Sequence, residues 1–533
     1  MDHLHAISSY GLGLWDQGRL SPVAALGVPL GVLFHLALSR LGDAERFMYT
    51  LIAAMLFLML GILSVSVFLG SSFLGALAGL CILASTFNVG LFSSMVIYRL
   101  FFHRLRRFPG PFDLKISRFF SVLRVAKEAK YHSDVAKMHE RYGDFIRTGP
   151  RELCIVRDSA IPIIYGPNTN CHKPTCYIGF SIKALQTYEP RITTLVTKLA
   201  DQVSNKRVLD ATAWSMYLTF DVMGEVGFGK DFGCVSSGTN HPAIQSIRDH
   251  MHILGVLSHI PWLLNIVGRI PGASKSYRPL FSYCQSQVEK KREGIDLEKY
   301  PQDIMTWLLK AVVEKDVSAS PTKESLLDDA RLLIIAGSET SAAVLASALF
   351  YLAKFPRVLK KLQARIDDVI STPADWTYEK ARSITYLDNF IDETQRLKPA
   401  LLTGGYRRTP PEGILIDEQF VPGNVSVIVP IQLIQTDPRY WKQSADFIPE
   451  RFGERSAEMG TGKAPYMPFS HGTYGCSGKN LALMTLRIAV SILAQRFDIA
   501  FAAGETGEVF DKEAKDTFTT YLKPLNLQFS PRK

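Results

Sequence analysis

Four short stretches of this chain hold residues able to do chemistry. In Phe469-Ser470-His471-Gly472-Thr473-Tyr474-Gly475-Cys476-Ser477-Gly478 a cysteine lies just ahead of an expected helix, in a loop whose glycines expose backbone amides. That setting favours a thiolate over a buried thiol, although a lone cysteine is more often an inert small hydrophobe. Ala336-Gly337-Ser338-Glu339-Thr340 places a carboxylate inside an apolar run, where it must be paired, protonated or wet. Gly337 lets another group approach the backbone, and the Thr340 hydroxyl can bond back to a carbonyl and bend a helix. Together they describe a polar notch in the wall of an apolar cavity; alone they read equally well as a satisfied polar patch. Glu393-Thr394-Gln395-Arg396 sets opposite charges three apart on one helix face. Pro449-Glu450-Arg451-Phe452 follows. Neither of these last two is informative by itself, because exposed ion pairs are common and contribute little.

The elements that must position these residues are mostly helical. The pattern predicts a helix from Leu327 to Phe355, with Asp328 and Asp329 in its first turn and Pro356 closing it. Such a helix is ~40 Å long and crosses a whole domain. Its centre, Leu332 to Leu352, is apolar nearly all round and therefore buried. A second helix, Tyr386 to Leu397, carries Glu393 and Arg396, and a third, Asn480 to Gln495, follows the cysteine. Further helical patterning covers Leu195 to Val203, Tyr217 to Val226 and Ile244 to Val267, while Phe145 to Ile164, broken at Gly149-Pro150, reads as a hairpin.

With 533 residues the chain accommodates one large catalytic domain and an appendage. No Asp, Glu, Lys or Arg occurs between Arg46 and Arg99, a stretch longer than the ~20 apolar residues of one spanning helix. Three spans are expected: Pro22 to Leu38, Phe47 to Leu69 and Phe73 to Tyr98, with Gly70, Ser71 and Ser72 turning between the last two. A cleavable signal peptide is disfavoured by the length of this material and by its acidic tip, Asp2 and Asp16. Arg99, His103, Arg104, Arg106 and Arg107 follow directly, and short basic flanks stay cytoplasmic, so the large domain should face the cytosol. Phe108-Pro109-Gly110-Pro111 cannot continue a helix and reads as a stiff hinge, dividing an anchor, 1–107, from a domain, 108–533. The net charge of +10 carries no interleaved basic and aromatic pattern for nucleic acid, which leaves an anionic membrane surface or an acidic protein partner. Seven cysteines without paired spacing argue against a disulfide framework, and Cys171, His172 and Cys176 lack a second ligand pair for zinc.

Taken in order, Ala-Gly-Ser-Glu-Thr on a long helix, Glu-x-x-Arg, Pro-Glu-Arg-Phe and Phe-x-x-Gly-x-x-x-Cys-x-Gly resemble the cytochrome P450 family. The likeness runs from about Pro109 to the C-terminus. It implies a mainly α fold with small β-sheets, preceded here by N-terminal transmembrane helices, and a haem b sandwiched between the long helix and the cysteine loop. Cys476 would be the axial thiolate, whose electron donation favours O–O cleavage, in a loop shaped by Phe469, Gly472 and Gly478. Glu339 and Thr340 would deliver protons for oxygen activation. Glu393, Arg396 and Arg451 would form a buried structural network. Arg407 matches a haem-propionate partner, with His471 sharing that work. The resemblance further implies O2, an NADPH-dependent flavoprotein reductase as a separate partner because no flavin- or nicotinamide-binding domain follows Lys533, and an endoplasmic reticulum membrane with the catalytic domain cytosolic. Lys463, Lys479 and Arg487 are candidates for the reductase-docking face. The motif style is similar to fungal members of specialised metabolism, which implies hydroxylation or oxidation of a lipophilic terpenoid, polyketide or alkaloid.

Two departures stand out. Tyr474 occupies a place where most relatives carry an arginine for a haem propionate, and tyrosine brings a hydrogen bond without the charge. Between Tyr165-Gly166-Pro167 and Phe180-Ser181 only twelve residues remain, where relatives place a substrate-covering loop and a helix bearing Trp-x-x-x-Arg. The six tryptophans, Trp15, Trp214, Trp262, Trp307, Trp376 and Trp441, all fall elsewhere. Either the chain is a shortened variant or an exon is missing from its sequence, and a haem-poor, membrane-anchored remnant is the rival expectation. A peroxide-rearranging enzyme of the same fold is a further rival, against which the Glu339-Thr340 pair weighs.

Overall fold

The computed structural model describes residues 20–39, 48–171, 182–260 and, apart from short stretches between 261 and 318, the remainder through 532. Residues 172–181, which hold most of the short segment noted above together with His172 and Cys176, lie outside the described residues.

Three apolar helices come first: Leu20–Ser39, Met48–Phe68 and Phe73–Ile97, the last continuing as a π-helical turn through Tyr98–Phe102. The second and third are long and apolar enough to cross a membrane. Leu20–Ser39 lies along Phe73–Ile97, and the two approach at Gly27, Gly31 and Gly90. A β-carbon on Gly31 would strike the backbone of Phe87, and one on Gly90 the backbone of Val28. Small residues at such a seam bring helix backbones together where lipid offers no hydrophobic drive. His35 Nδ1 and Ser94 Oγ, 2.8 Å apart, add a polar link across the pair.

The junction to the domain is packed tightly. Leu105 and Phe108 are buried with Phe145, Leu153 and Ile155. Arg147, fully buried, donates from Nη1 to the Arg99 carbonyl at 2.8 Å, and its backbone N–H meets the Pro109 carbonyl at 2.7 Å. The Pro-Gly-Pro segment is thus stiff because it is pinned to a strand, with Gly110 pressed against the Arg147 carbonyl.

Beyond the junction the domain is mainly α with small sheets. The expected hairpin is present as Phe145–Gly149 paired with Glu152–Ile155, but Ala160–Tyr165 is a short helix rather than strand. Those two strands continue through Ser426–Ile428 to Arg407–Arg408, so the register Arg407↔Val427 fixes where Arg407 stands. Ile182–Lys206, Ala211–Phe228, Lys323–Lys354 and Lys479–Arg496 supply the largest core cluster. The helical patterning expected from Ile244 to Val267 is met by Pro242–Leu257 and, after a break at 258–260, by helical conformation at Trp262, Leu263, Ile266 and Val267. Pro261 follows the break, and the residue before a proline resists the helical conformation.

The helix Lys323–Lys354, the central helix below, begins four residues earlier than the acidic pair indicated. Thr322 accepts from the Ser325 N–H while Ser325 bonds back to Thr322, a capping box with serine in place of the usual Glu or Gln. By length and composition this helix could also span a membrane, yet most of it is packed inside the domain. Gly337 is where it meets Ala211–Phe228, since a β-carbon there would run into Met223. Gly337→Ala should therefore lower the melting temperature despite alanine's better helix propensity, by about 1–3 kcal/mol of overpacking. Adding Met223→Ala should recover part of that loss in a double-mutant cycle followed by thermal denaturation; independent, additive losses would contradict this packing account.

Candidate active site

The central helix is buried on one side and open on the other. Leu333, Ile334, Ser338, Ser341 and Ala342 are buried, whereas Leu332 and Ala336 are exposed and Ile335, Glu339 and Thr340 half-buried. The open positions follow a three-and-four spacing and form a single stripe. Thr340 Oγ1 donates to the Ala336 carbonyl at 2.6 Å, the back-bond its sequence allowed. Glu339 Oε2 accepts from Thr519 Oγ1 at 2.8 Å. Burial raises the Glu339 pKa, against the opposing pull of the Thr519 bond and of Arg248. Thr519 belongs to a tight hairpin, Lys515–Thr517 paired with Thr519–Tyr521, too short for its sequence to announce. The same hairpin holds Asp516, which burial pushes up to about 6.

The cysteine loop is shaped by close approaches. Gly472 has φ +64, and a β-carbon on it would collide with the backbone of Tyr165 and Gly166, so only glycine serves there. Gly478 caps the helix Lys479–Arg496 at φ −77, a value open to any residue. The Cys476 N–H donates to the Phe469 carbonyl at 2.8 Å, closing the loop and leaving the cysteine exposed three residues ahead of the first residue of an 18-residue helix. Helix N-termini favour negative charge, the thiolate included.

Arg407 is brought to this loop. It is 5% exposed, donates from Nη2 to the Tyr474 carbonyl at 3.3 Å, and lies 4.8 Å from the centre of the Tyr165 ring and 5.8 Å from that of Tyr474. Its Nε is buried and has no hydrogen-bond partner among the described residues. A guanidinium with a spare buried N–H suits a carboxylate acceptor. His471 points elsewhere: it is exposed, with Nε2 3.0 Å from the Tyr466 carbonyl.

Glu393, Arg396 and Arg451 come together and are fully buried. Glu393 accepts from Arg396 Nε at 2.8 Å and Nη2 at 3.0 Å, from Arg451 Nε at 3.0 Å, and from the Ile448 N–H at 2.8 Å. The remaining arginine N–H groups reach the carbonyls of Gln435, Ser444, Asp446, Lys442 and Gln443. Gln435, which no local signal marked, carries the network onward: its Nε2 donates to the Gln395 carbonyl at 3.1 Å, and its Oε1 accepts from the Met467 N–H at 2.8 Å, two residues before Phe469. Glu450 joins the periphery through Arg357, Lys361 and the Tyr386 hydroxyl.

Of the proposed docking cations, Arg487 is already committed. It donates to both oxygens of Asp388, at 2.6 and 3.1 Å, and is largely buried. Lys479 stands 5.9 Å from the Phe469 ring centre. Both line a cavity of about 250 Å³ on the flank of the cysteine loop, with Asp388, Asp392 and His471.

The cytochrome P450 profile matches residues 175–529, two thirds of the chain. The chain belongs to the cytochrome P450 family. It is 35% identical over 473 positions to cytochrome P450 monooxygenase orf5 of Eupenicillium brefeldianum, covering 83% of this chain and 95% of that protein. It is 32% identical over 481 positions to cytochrome P450 monooxygenase FCK2 of Fusarium pseudograminearum (85% and 86% covered), and 29% identical over 460 to the tryprostatin B 6-hydroxylase of Neosartorya fischeri (80% and 82%). The solved cytochrome P450DA haem domain has the same fold, with a TM-score of 0.63, 15% identity, and 77% and 95% coverage. The protein is thus a P450 monooxygenase, an oxidoreductase, and its family implies a haem-thiolate cofactor. The 473 positions shared with the Eupenicillium relative use 83% of 533 residues, about 442, so some thirty positions of that alignment face a gap in this chain. The residues present fit a haem: an exposed cysteine sulfur, an uncovered stripe on the central helix, and in Arg407 a buried N–H without an acceptor among the described residues.

Two outcomes follow from the ion network. Glu393→Gln removes the shared carboxylate and should cost about 3–5 kcal/mol in urea unfolding, because it strands two buried arginines. Glu450 behaves differently with pH. Burial works against its charge, but its own backbone amide, Lys361 and Arg357 prevail and lower its pKa from 4.5 to about 2. The stability it adds is complete above the unfolded value and disappears as pH falls through the folded one. The melting-temperature gap between the parent and Glu450→Gln should therefore be widest at neutral pH and narrow between pH 4.5 and 2; a gap that widens on acidification would reverse this assignment.

Proposed function

We propose that this P450 is a membrane-anchored haem-thiolate monooxygenase, with an anchor at 1–107 and a catalytic domain at 108–533, which uses O2 and electrons from a separate NADPH-dependent flavoprotein reductase to hydroxylate or oxidise a lipophilic secondary metabolite. The observation that carries it is the pairing of an exposed Cys476, in a loop closed on Phe469, with the open Glu339-Thr340 stripe of the central helix. Cys476 would ligate the iron, and Arg407 would meet a propionate with its spare Nε, offsetting the arginine that Tyr474 replaces. Once bound, the haem supplies oxygen activation and transfer to a substrate C–H bond.

The chain's own residues then have separate tasks. Thr519 holds the Glu339 carboxylate in one orientation, and burial raises its proton affinity, so it can hold a proton and pass it on. The Thr340 hydroxyl donates to the Ala336 carbonyl, retains the capacity to accept from a second donor, and relays that proton. The Glu393 network and Gln435 hold the cysteine loop in register with the helix beneath it. Apolar helices long enough to span, followed by five basic or imidazole side chains, support a cytosolic catalytic face at the endoplasmic reticulum. Relatives in fungi, one of them named for hydroxylating tryprostatin B, support a specialised metabolite as substrate.

The short stretch between Pro167 and Phe180 favours a second reading, a haem-poor remnant. A reduced carbon-monoxide difference spectrum of the full chain separates the two: a red-shifted thiolate band, lost in Cys476→Ser, is the expected result, and a wild type without it sinks the enzymatic reading. With reductase present, Thr340→Ala and Glu339→Gln should keep that band while product formed per NADPH falls by about 10²-fold. Unchanged coupling in both would remove these residues from proton delivery.

A further inference from the structure

We propose that the cleft between the juxtamembrane arginines and the hairpin Ile414–Ile416/Gln419–Val421 is a binding site for the headgroup of an anionic phospholipid. The cleft has a volume of about 500 Å³; Arg104, Arg106 and Arg107 line it on one side, and Pro411, Glu412 and Phe420 are among the residues opposite. All three arginines are exposed, and Glu412 is the one carboxylate among the lining residues. Arg107 donates to the Phe420 carbonyl, so the walls are joined at one end and the cleft does not depend on a loose side chain.

The ground behind the cleft is positive too. Arg147 is fully buried and spends its N–H groups on the carbonyls of Arg99, Pro150 and Gly149 rather than on a carboxylate. Buried His103 is held down to about 3 by burial first and then by Arg147, Arg104, Arg151 and Arg99. Burial, Arg151 and Arg408 likewise lower Arg104. Three arginines lining the cleft with one carboxylate favour an anion, and planar guanidinium forks match phosphate.

A lipid is favoured over a free phosphate by what surrounds the cleft. The arginines follow within five residues of the end of an apolar helix, Phe73–Phe102, long enough to cross a bilayer. Phe101 and Phe102 on that stem are 63% and 66% exposed, and Leu415 and Phe420 on the hairpin 60% and 46%. A phosphodiester seated among the arginines would place acyl chains against these side chains, whereas inorganic phosphate would leave them uncovered. The inference rests on the apolar helices lying in a membrane and is independent of the haem chemistry.

The test uses the full-length chain in mild detergent with mixed micelles of equal phosphatidylcholine and phosphatidylserine, reading retained lipids by mass spectrometry. Wild type should enrich phosphatidylserine. Arg104→Gln/Arg106→Gln should lower that enrichment by about fivefold per charge removed, Arg104→Lys/Arg106→Lys should keep most of it, and Glu412→Gln, which disturbs no arginine, should increase it. Millimolar inorganic phosphate should leave it unchanged. No enrichment in wild type, the same enrichment in the glutamine double variant, or displacement by inorganic phosphate overturns the proposal.

Discussion

A single carboxylate shared by two arginines holds the catalytic end of this molecule in shape. Glu393 satisfies Arg396 and Arg451 at once, with all three fully buried. Desolvating three charges is costly, and that cost is met only because the arginines also satisfy a ring of backbone carbonyls between Gln435 and Asp446. Those carbonyls belong to irregular backbone that no sheet or long helix organises. The ion triad thus does for a loop region what a hydrogen-bond ladder does for a strand. Gln435 extends its reach to Met467, and from there the chain needs only two residues to arrive at Phe469. The position of the thiol is therefore decided at a distance, by polar contacts that never touch it.

Much of this was legible in the sequence where one residue type admits one job. The central helix, the Glu393 helix and the helix after Cys476 were foreseen to within a few residues, because apolar runs or faces and end signals such as Pro356 mark them. Gly472 was named through the family motif, and only the structure gives its reason: positive φ and backbone contact both exclude a side chain. What the sequence concealed was partnership across long separations. Gln435 looks like any polar residue at a helix end, and Thr519 like any strand threonine, until Met467 and Glu339 are placed beside them. The same holds for Arg487: its sequence shows a cation near the cysteine, and only the fold shows Asp388 taking its Nε and Nη2.

Tyr474, where the family resemblance led to the expectation of an arginine, has a positive charge close at hand. Arg407 comes from a different element, the edge strand of the sheet, yet reaches the Tyr474 carbonyl and leaves one N–H unspent. Tyr165 supports it from below, its ring under the guanidinium and its hydroxyl bridging the Gly405 carbonyl and the Val429 N–H. The strand register, rather than the cysteine motif, thereby decides where positive charge meets the loop.

The junction around Arg147 has a mechanical meaning. Leu105 and Phe108 are sunk into the domain core and Arg147 grips the Arg99 carbonyl, contacts that join the stem to the catalytic body. A flexible tether would let an enzyme tumble above a bilayer and sample every orientation. With the apolar helices in a bilayer, a welded stem would remove that freedom, and the tilt of those helices would become the tilt of the catalytic domain and of any route leading into it.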